Sequence, residues 1–293
     1  MKLKKRINVL WGIILIPILL AGGYLFTVGG RPAPVSVKKE LMDGVTYHRI
    51  VHYLPHSMVA HALVIDTKTK GMQFLVTPSD EVDGGALKAR TTSQFLDEYG
   101  LQIAINGDGF FPWWSRTPVD YYPHEGDSVT PNGLTASEGK VYADGLQDIK
   151  PEPTIYISRK NALTFNRQPD NIFQAISGDR MLILAGDIVP DLDDSVIHPR
   201  TAIGVNRNGR WLYLVVVDGR QPFYSSGATF QELAELLKDL GAHFAMALDG
   251  GGSSTMVVEG ENGEPVILNS PIDSYIPGRE RPVANHFGIY INQ

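Results

Sequence analysis

ALDGGGSSTMV, residues 247–257, joins two apolar segments through one acid, three glycines and three hydroxyl residues. Short apolar segments bounded by glycine predict two buried strands with a loop between them. Glycine lacks a Cβ atom, so Gly250, Gly251 and Gly252 let the backbone adopt positive φ and approach a ligand closely. We therefore expect this loop to present backbone N–H groups, hydroxyl groups and the Asp249 carboxylate to a polar, anionic ligand.

A plain turn is the alternative interpretation of this loop, because glycine-rich turns between strands are common and Asp-Gly is a hairpin signal. Two nucleotide-binding motifs are excluded. A P-loop has a lysine after its glycines, and a dinucleotide-binding fingerprint has GxGxxG spacing followed by a helix. The stretch 247–257 has neither feature.

Apolar alternation on both sides of this loop predicts a chain rich in strands. The predicted strands are His61–Asp66, Gln73–Thr77, Leu101–Ile105, Met181–Leu184, Thr201–Asn206, Trp211–Val217, Phe244–Leu248, Thr255–Val258 and Phe287–Ile291. Two helices are predicted, Thr91–Tyr99 and Thr229–Leu240; the second has a capping box, a leucine stripe and a terminal glycine. Many strands with few helices predict one α+β domain on a mixed, mostly antiparallel sheet.

Composition indicates a folded domain that does not bind nucleic acid. The 293 residues are 43% hydrophobic and 20% charged, which is enough for a sizeable core. The net charge of −6 becomes −10 when the four basic residues within positions 2–6 are removed. A domain with net negative charge is not attracted to the phosphate backbone of nucleic acid. The absence of cysteine excludes disulfides, cysteine-bound metals and thiol nucleophiles.

The N-terminus predicts a membrane anchor. Basic residues precede an uncharged apolar run, Ile7–Val28, that is long enough to cross a hydrocarbon core of about 30 Å. The basic flank predicts that the rest of the chain lies outside the cytoplasm, in the periplasm or the extracellular space. A cleaved signal peptide is the alternative, but the run is long for one. The predicted organisation is an anchor or signal at 1–30, a linker and first strand region at 31–59, and one domain at 60–293.

A long segment without a clear pattern, residues 107–133, carries six aromatic residues, among them Trp113 and Trp114. Loops of this length are usually functional or disordered, and the aromatic content argues against disorder. Two interpretations stay open. The aromatic rings pack as a small satellite core, or they form a wall on which sugars stack.

Polar residues cluster at the ends of the predicted strands. The clusters are Asn106 with Asp108, His198 with Arg200 and Thr201, Asp218 with Arg220, Asp249–Thr255, and Arg279–Asn285. We expect these strand ends to meet at one edge of the sheet.

The guanidinium of Arg200 suits phosphate or carboxylate, with a structural ion pair as the alternative. Asp218 and Asp249 could form the carboxylate pair of a glycoside hydrolase, although Asp218 could also cap a turn. Their oxygens could instead bind a divalent cation, Ca²⁺ or Mg²⁺, although the sequence requires no cofactor. His198 and His286 are candidate proton donors, with a structural role as the alternative.

Four motifs, in this order, resemble the phosphodiester glycosidase family: IHPRTAIG at 197–204, VDGRQP at 217–222, LDGGGSSTMV at 248–257 and RERPVAN at 279–285. With the segments around Asn106 and Gly133, the resemblance extends from about Ala60 to the C-terminus. It implies hydrolysis of the glycosidic C1–O bond of a sugar phosphodiester. The sugar and a phosphomonoester are the products.

The resemblance also implies roles for individual residues. Arg200 would hold the phosphate and Asp249 would act at the sugar. The residues that would complete the pocket are Asn106, Thr201, Asp218, Ser253, Thr255 and Asn285. With Asp249 and Asp218 as the predicted catalytic pair, the predicted substrate-binding residues also include Asp108, Gly250, Gly251, Gly252, Ser254 and Arg281.

One segment departs from the family pattern. The family usually has Asn-Gly-Gly before two aromatic residues, whereas this chain has Asn106-Gly107-Asp108-Gly109-Phe110-Phe111. A carboxylate beside a phosphate site repels the substrate unless a metal ion or an arginine neutralises it. The departure therefore makes a bound metal ion more plausible.

The sequence thus predicts a membrane-anchored hydrolase that cleaves a sugar 1-phosphodiester, similar to one of N-acetylglucosamine, in an envelope glycan or exopolysaccharide. Two alternatives remain. One is a non-catalytic, polysaccharide-binding envelope protein that uses Trp113 and Trp114. The other is a metal-dependent phosphodiesterase that cuts the P–O bond.

Overall fold

The computed structural model describes residues 33–80, 87–144 and 152–291, together with Leu15, Ile18, Leu19, Gly22 and Gly23. No helix among these described residues is long and apolar enough to cross a membrane. The predicted anchor at 7–28 lies almost entirely outside them, so the anchor and the location it implies stay predictions.

Twenty-three strands and two α-helices form the described part of the chain. In chain order, the first strands are β1 (Val37–Met42), β2 (Val45–His52), β3 (Met58–Asp66), β4 (Met72–Val76), β5 (Leu87–Lys88), β6 (Ile103–Asn106), β7 (Phe110–Phe111), β8 (Trp114–Thr117), β9 (Asp120–Tyr122), β10 (Ser128–Pro131), β11 (Leu134–Ser137) and β12 (Lys140–Asp144). The remaining strands are β13 (Thr154–Ile157), β14 (Leu163–Phe165), β15 (Gln174–Ser177), β16 (Arg180–Leu184), β17 (Asp187–Ile188), β18 (Arg200–Val205), β19 (Trp211–Asp218), β20 (Phe244–Ala247), β21 (Met256–Glu259), β22 (Pro265–Ile267) and β23 (His286–Ile291). The helices are α1 (Thr92–Tyr99) and α2 (Phe230–Leu240).

Two large sheets form the centre of the fold. One has eight strands in the order β1-β2-β3-β19-β18-β20-β16-β17, and the other has five in the order β22-β21-β6-β23-β4. A second five-stranded sheet, β12-β11-β15-β13-β14, a three-stranded sheet, β5-β10-β7, and the hairpin β8-β9 complete the fold. From the predicted linker and first strand region, β1 pairs with β2, and β2 pairs in register with β3. The predicted domain boundaries stay predictions.

The side chains alternate between two cores because successive residues of a strand point to opposite faces. In β19, Leu212, Leu214 and Val216 enter the core between the sheets, together with residues of β6 and β23. Tyr213 and Val215 enter the core between the eight-stranded sheet and α2. A third core joins α1 to the outer face of the β6 sheet. Each large sheet is thus covered by one helix on its outer side.

Both helices form where their capping signals predict. The side chains of Thr91 and Thr229 accept hydrogen bonds from the third residue of each helix, and Gly100 and Gly241 end the helices in the left-handed conformation. Such caps satisfy N–H and C=O groups that have no partner within the helix. The α+β class and the two predicted helices are confirmed.

Two details refine the expectation. Every pair of the named strands is antiparallel, so the predicted mostly antiparallel character is confirmed, while parallel pairing among the described residues is limited to the isolated bridge between Ile272 and Arg279. The segment 107–133 contains four short strands, β7 to β10, rather than one irregular loop. Their two to four residues are too few for an apolar period to be recognised in the sequence.

Candidate active site

The antiparallel register brings the predicted polar clusters to one end of both large sheets. Arg200 pairs with Val217, directly before Asp218. Asn106 pairs with His286, directly after Asn285. Each polar residue stands where its strand begins or ends, so the expected convergence is confirmed. We call this the cavity end, because a cleft of about 390 Å³ opens there.

Seven of the predicted site residues line this cleft: Asp108, Arg200, Asp249, Gly250, Gly251, Gly252 and Arg281. Other residues line the cleft although they were not predicted as site residues, notably Glu152, Asp179, Arg220 and Phe230. Trp113 and His198, which it considered, also line the cleft.

Gly251 and Gly252 each make room for an arginine of the cleft, and Gly250 makes room for the backbone at Pro199. A Cβ atom on Gly252 would lie 2.4 Å from a terminal nitrogen of Arg281, and one on Gly251 would lie 3.2 Å from Arg220. On Gly250 it would lie 2.8 Å from the carbonyl oxygen of Pro199 and 3.8 Å from Cα of Arg200. Only Gly251 of the three has positive φ, at 64°. The glycines are therefore needed for close approach more than for an unusual backbone.

Two of these arginines bind no carboxylate among the described residues. Arg200 donates to the backbone oxygens of Val196 (2.8 Å) and Ala228 (3.1 Å) and lies 3.7 Å from the centre of the Phe230 ring. Burial lowers the pKa of Arg200 to about 10. It nevertheless remains a cation at neutral pH, so the alternative of a structural ion pair is not what the geometry shows.

Arg220 contacts one of the two histidines predicted as proton donors. Its guanidinium nitrogens lie 3.3–3.4 Å from Nδ1 of His198. Burial lowers the pKa of His198, and the charges of Arg220 and Arg200 lower it further. Burial also lowers the pKa of Arg220. A neutral imidazole between two guanidinium groups leaves the positive charge on the arginines.

Asp249, which directly precedes the three glycines, lines the same cleft. One carboxylate oxygen accepts a hydrogen bond from the N–H of Gly250, at 2.9 Å. Burial raises the pKa of Asp249, and a hydrogen bond with Ser253 and the charge of Arg281 oppose this shift. A carboxyl with a raised pKa in a cleft is a candidate for acid or base catalysis.

Asn106 and Thr201 hold the backbone of Asp249 from below. The amide of Asn106 donates to the carbonyl oxygen of Asp249 (2.8 Å) and accepts from the hydroxyl of Thr201 (2.9 Å) and the N–H of Thr255 (3.1 Å). Asn106 and Thr201 are fully buried. They position the loop and do not line the cleft.

Asn285 holds the backbone of Asp108 through a side-chain hydrogen bond, as Asn106 holds that of Asp249. Its side-chain oxygen accepts from the N–H of Asp108 at 2.8 Å, and its amide donates to Thr135 at 3.0 Å. The carboxylate of Asp108 accepts from the N–H groups of Gly109 and Gly133, both at 2.7 Å. The departure from the family pattern is thus a carboxyl built into the wall of the cleft.

Glu152 forms a carboxyl pair with Asp108. Burial raises the pKa of Asp108 well above its ordinary value, and the charges of Glu152 and Asp249 add to that shift. Burial also raises the pKa of Glu152, while a hydrogen bond with Asp108 opposes the shift. Both carboxyls line the cleft, and one oxygen of Glu152 is buried there without a hydrogen-bond partner among the described residues.

Asp218 does not line the cleft, although it was predicted as the second catalytic carboxylate. It is 1% exposed, and its oxygens accept four hydrogen bonds, from His61, Tyr224, Asn269 and the N–H of Ser270. A carboxylate with all its acceptor positions occupied holds neighbouring loops together. The geometry therefore does not support pairing Asp218 with Asp249 at a substrate.

The hydroxyl residues after the glycines are buried beneath the loop. Ser253 lies 3.3 Å from Arg281, whose guanidinium also pairs with Asp273 at 2.7 Å and stacks 4.7 Å from the Trp113 ring. The hydroxyl oxygens of Ser254 and Thr255 are buried without a hydrogen-bond partner among the described residues. None of the three hydroxyl residues lines the cleft.

His286, the other candidate proton donor, is fully buried and stacks on Phe95 at 4.7 Å. Burial lowers its pKa to about 3. Its position beneath the sheet end fits the structural alternative.

The aromatic segment 107–133 divides between its two interpretations. Phe110 packs in a satellite core with Leu87, Val129 and Val283. Trp113 lines the cleft and is 48% exposed. The described residues hold no group of three or more histidine or acidic side chains that could bind a metal ion. The predicted Ca²⁺ or Mg²⁺ stays a prediction.

The residues that the sequence analysis missed carried weak signals. Arg220 stands within one of the quoted motifs and was placed in a polar cluster with Asp218, but it was given no role. Glu152 and Asp179 stand in no motif. Only the pairing of distant strands places them in the cleft.

Comparisons with known proteins agree with this architecture. Residues 99–290 match the family model described as phosphodiester glycosidase. A segment of 69 residues is 45% identical to the SPbeta prophage-derived protein YomE of Bacillus subtilis (strain 168). That match spans 24% of this chain and a tenth of the length of YomE.

Solved structures share the fold. The catalytic domain of zebrafish N-acetylglucosamine-1-phosphodiester alpha-N-acetylglucosaminidase, auto-inhibited by its pro-peptide, aligns with a TM-score of 0.58 and 22% identity over 88% of this chain and 84% of that one. A protein from Synechocystis aligns with a TM-score of 0.60 and 14% identity over 88% of this chain and 64% of that one. A third, from Burkholderia pseudomallei K96243, has a TM-score of 0.55 and 15% identity, covering 84% and 76% of the two chains.

Proposed function

Because the chain belongs to the phosphodiester glycosidase family, we propose that it hydrolyses the glycosidic bond of a sugar 1-phosphodiester. The observation that carries the proposal is the cleft in which Arg200 and Arg220 stand without carboxylate partners among the described residues, opposite the Asp249 carboxyl. Buried cations without counterions are costly, so a site that keeps them is suited to an anionic ligand. A phosphodiester supplies that anion.

The cleft residues divide between the two halves of this substrate. Arg200 and Arg220 bind the phosphate. Trp113, whose ring is half exposed in the cleft, offers a stacking face for the sugar. Asp249 stands at the anomeric carbon C1. We assign the second carboxyl to Glu152 rather than to Asp218, because Glu152 lines the cleft and Asp218 does not.

The reaction balances as a simple hydrolysis. The oxygen of a water molecule bonds to C1, and the bond between C1 and the phosphate oxygen breaks. The bonding electrons leave with the phosphate oxygen, whose charge the arginines stabilise. Asp249 acts either as the base that takes the proton of the water or as a nucleophile in a two-step reaction. The anomer of the released sugar distinguishes the two routes.

The finer assignments follow from the sequence and are proposals of the same kind. The sugar resembles N-acetylglucosamine, the substrate is an envelope glycan or polysaccharide, and the domain lies outside the cytoplasm on the anchor at 7–28. The zebrafish structure supports the first assignment through the substrate in its name.

Turnover in ¹⁸O-water tests the reaction. The full chain is given an N-acetylglucosamine 1-phosphodiester, and the products are analysed by mass spectrometry. We expect the label in the sugar and none in the phosphomonoester, and we expect Asp249→Asn to form little product. Label in the phosphate would instead identify cleavage of the P–O bond, as in a phosphodiesterase.

Two further measurements address the remaining alternatives. Retention of a glycan without any product, lost in Trp113→Ala but kept in Asp249→Asn, would contradict catalysis and indicate a binding protein. Turnover measured before and after chelation, with Ca²⁺ or Mg²⁺ added back, tests the predicted divalent cation.

A further inference from the structure

A second cavity, which we call the far pocket, lies at the end of the eight-stranded sheet opposite the cleft. Its volume is about 450 Å³. Four cationic side chains line it: Lys68, Lys160, Arg167 and Arg207. No aspartate or glutamate among the described residues lines it. The cavity beside α2, by contrast, is lined by three acids: Glu232, Glu235 and Asp239.

The strand register separates the far pocket from the cleft. Arg200 begins β18 and lines the cleft, whereas Val205 ends β18 and lines the far pocket. Phe244, at the start of β20, pairs with Val205 and lines the same pocket. The six residues of β18 span about 20 Å, because a strand rises about 3.4 Å per residue. A ligand that contacts both sites must therefore be an extended polymer.

Hydrogen bonds join the turns that form the far pocket. Thr67, in the turn between β3 and β4, donates to the backbone oxygens of Gly209 (3.0 Å) and Arg210 (2.8 Å), in the turn between β18 and β19. Asn161, in the turn between β13 and β14, donates to the oxygen of Met72 at 2.7 Å, where β4 begins. Each of these three turns carries one of the cations. Their positions are thus set by the fold before any ligand binds.

Three of the four cations have no acidic partner. No salt bridge of the described residues includes Lys160, Arg167 or Arg207. Lys68 differs, because its charge contributes to the lowered pKa of Asp66. At physiological salt, charges more than about 8 Å apart are largely screened. A ligand in the far pocket therefore responds to these cations rather than to the net charge of −6 of the whole chain.

Two phenylalanines give the far pocket an aromatic surface. The rings of Phe165 and Phe244 stack with their centres 6.1 Å apart, and both side chains are partly buried. A small inorganic anion needs cations and donors but no ring. Sites for organic ligands combine aromatic surface with a few polar groups. The far pocket therefore suits a ligand that has apolar C–H faces as well as negative charge, as an anionic glycan does.

We propose that the far pocket binds a second stretch of the anionic glycan whose phosphodiester bond is hydrolysed in the cleft. This inference rests on the proposed function, which makes a phosphate-bearing polymer the ligand at the other end of the sheet. Once one stretch of the polymer is bound, contact with the second site is intramolecular, so the polymer is held more tightly than a short ligand. The far pocket thus gives the enzyme a preference for long chains.

Binding of a polymer of N-acetylglucosamine 1-phosphate to the full chain tests this site. The chain carries Asp249→Asn, so that the proposed reaction does not consume the polymer, and Kd is measured by titration calorimetry. The test variant removes the three unpaired cations: Lys160→Gln, Arg167→Gln and Arg207→Gln. The matched control removes three exposed lysines that do not line the far pocket: Lys38→Gln, Lys88→Gln and Lys238→Gln.

We expect Kd to rise about tenfold in the test variant, because exposed charges each contribute modestly, and to stay unchanged in the control. The same Kd in the test variant and the control would overturn the proposal. So would neutral dextran bound as tightly as the charged polymer. Single-stranded DNA of equal charge, bound more tightly and weakened by the same substitutions, would instead identify a nucleic-acid site.

Turnover by the chain that retains Asp249 tests the preference for long substrates. In the test variant, we expect KM for the polymer to rise about tenfold and KM for a small N-acetylglucosamine 1-phosphodiester to stay unchanged, because a short substrate does not reach the far pocket. An equal rise for both substrates would overturn the preference. Failure of the proposed function is seen separately, as absence of hydrolysis by the parent chain, and it leaves the binding measurement valid.

Discussion

The two ends of the eight-stranded sheet use arginine in opposite ways. At the end opposite the cleft, Arg210 donates to both oxygens of Asp66, at 2.7–3.2 Å, in an exposed ion pair. At the cavity end, Arg200 is 8% exposed and binds two backbone oxygens rather than an acid. Arg200 begins β18 and Arg210 directly precedes β19, so their positions in the strands are alike. The difference is that an acid lies beside Arg210 and backbone oxygens lie beside Arg200.

The difference shows what a site requires beyond a stable fold. An exposed pair satisfies both charges and contributes little to stability. A buried guanidinium without a counterion loses hydration and keeps its charge for a ligand. Glycines of the cleft also differ from glycines at surface turns in what a side chain would contact. A Cβ atom added to Gly263, at a surface turn, would meet nothing within 4 Å, whereas one added to Gly252 would meet Arg281.

The largest expected effect at the cavity end is that of Asp249→Asn. The variant keeps the size of the side chain but removes its acid–base chemistry, so we expect kcat to fall about 10³-fold. Asp66→Asn, at the other end, should keep the parent turnover. An Asp249→Asn variant as active as the parent would show that the cleft carboxyl is not the reacting group.

Arg200→Met should raise KM for the phosphodiester about 10²-fold, because charged hydrogen bonds to the phosphate are lost. Arg210→Met is the matched control and should leave KM unchanged. Arg200→Lys separates charge from shape, since lysine retains the charge without the planar fork. If Arg200→Met changed kcat but not KM, Arg200 would not be the phosphate ligand.

Gly252→Ala should lower kcat/KM about tenfold by displacing Arg281, because small misplacements of catalytic groups are costly. The midpoint of thermal unfolding should also fall, because the displaced guanidinium of Arg281 forms a buried ion pair with Asp273. Gly263→Ala should affect stability alone. It forces alanine into a left-handed backbone, at φ 82°, which costs about 1–2 kcal/mol of stability, and it leaves turnover unchanged.

The smallest effect is on the pH profile of turnover. Burial raises the pKa of Asp249, and the charge of Arg281 lowers it. If Asp249 reacts as the carboxylate, activity is lost as pH falls through that pKa. Arg281→Met removes the lowering charge, so the acid limb of kcat/KM should move to higher pH. Arg210→Met should not move it, and a limb that moved to lower pH in Arg281→Met would assign it to another group.

Local patterns in the sequence predicted much of this fold. The helix that begins after Thr229 was predicted from its capping box, its leucine stripe and Gly241, which are all signals within a dozen residues. Nine of the thirteen strands of the two large sheets were predicted from apolar runs close to their observed limits, whereas β1, β2, β17 and β22 were not predicted individually. The short strands among the described residues of 107–165 were all missed, because two to five residues give no recognisable apolar period.

The sequence established where chemistry could occur: an acid, three glycines and several arginines at the ends of apolar strands. It did so because such signals are carried by neighbouring residues. Which of these side chains face the cleft depends on partners far along the chain. Asp218 turns to His61, 157 residues away, while Glu152 comes to lie beside Asp108. Packing between distant strands selects such partners, and no local pattern encodes that selection.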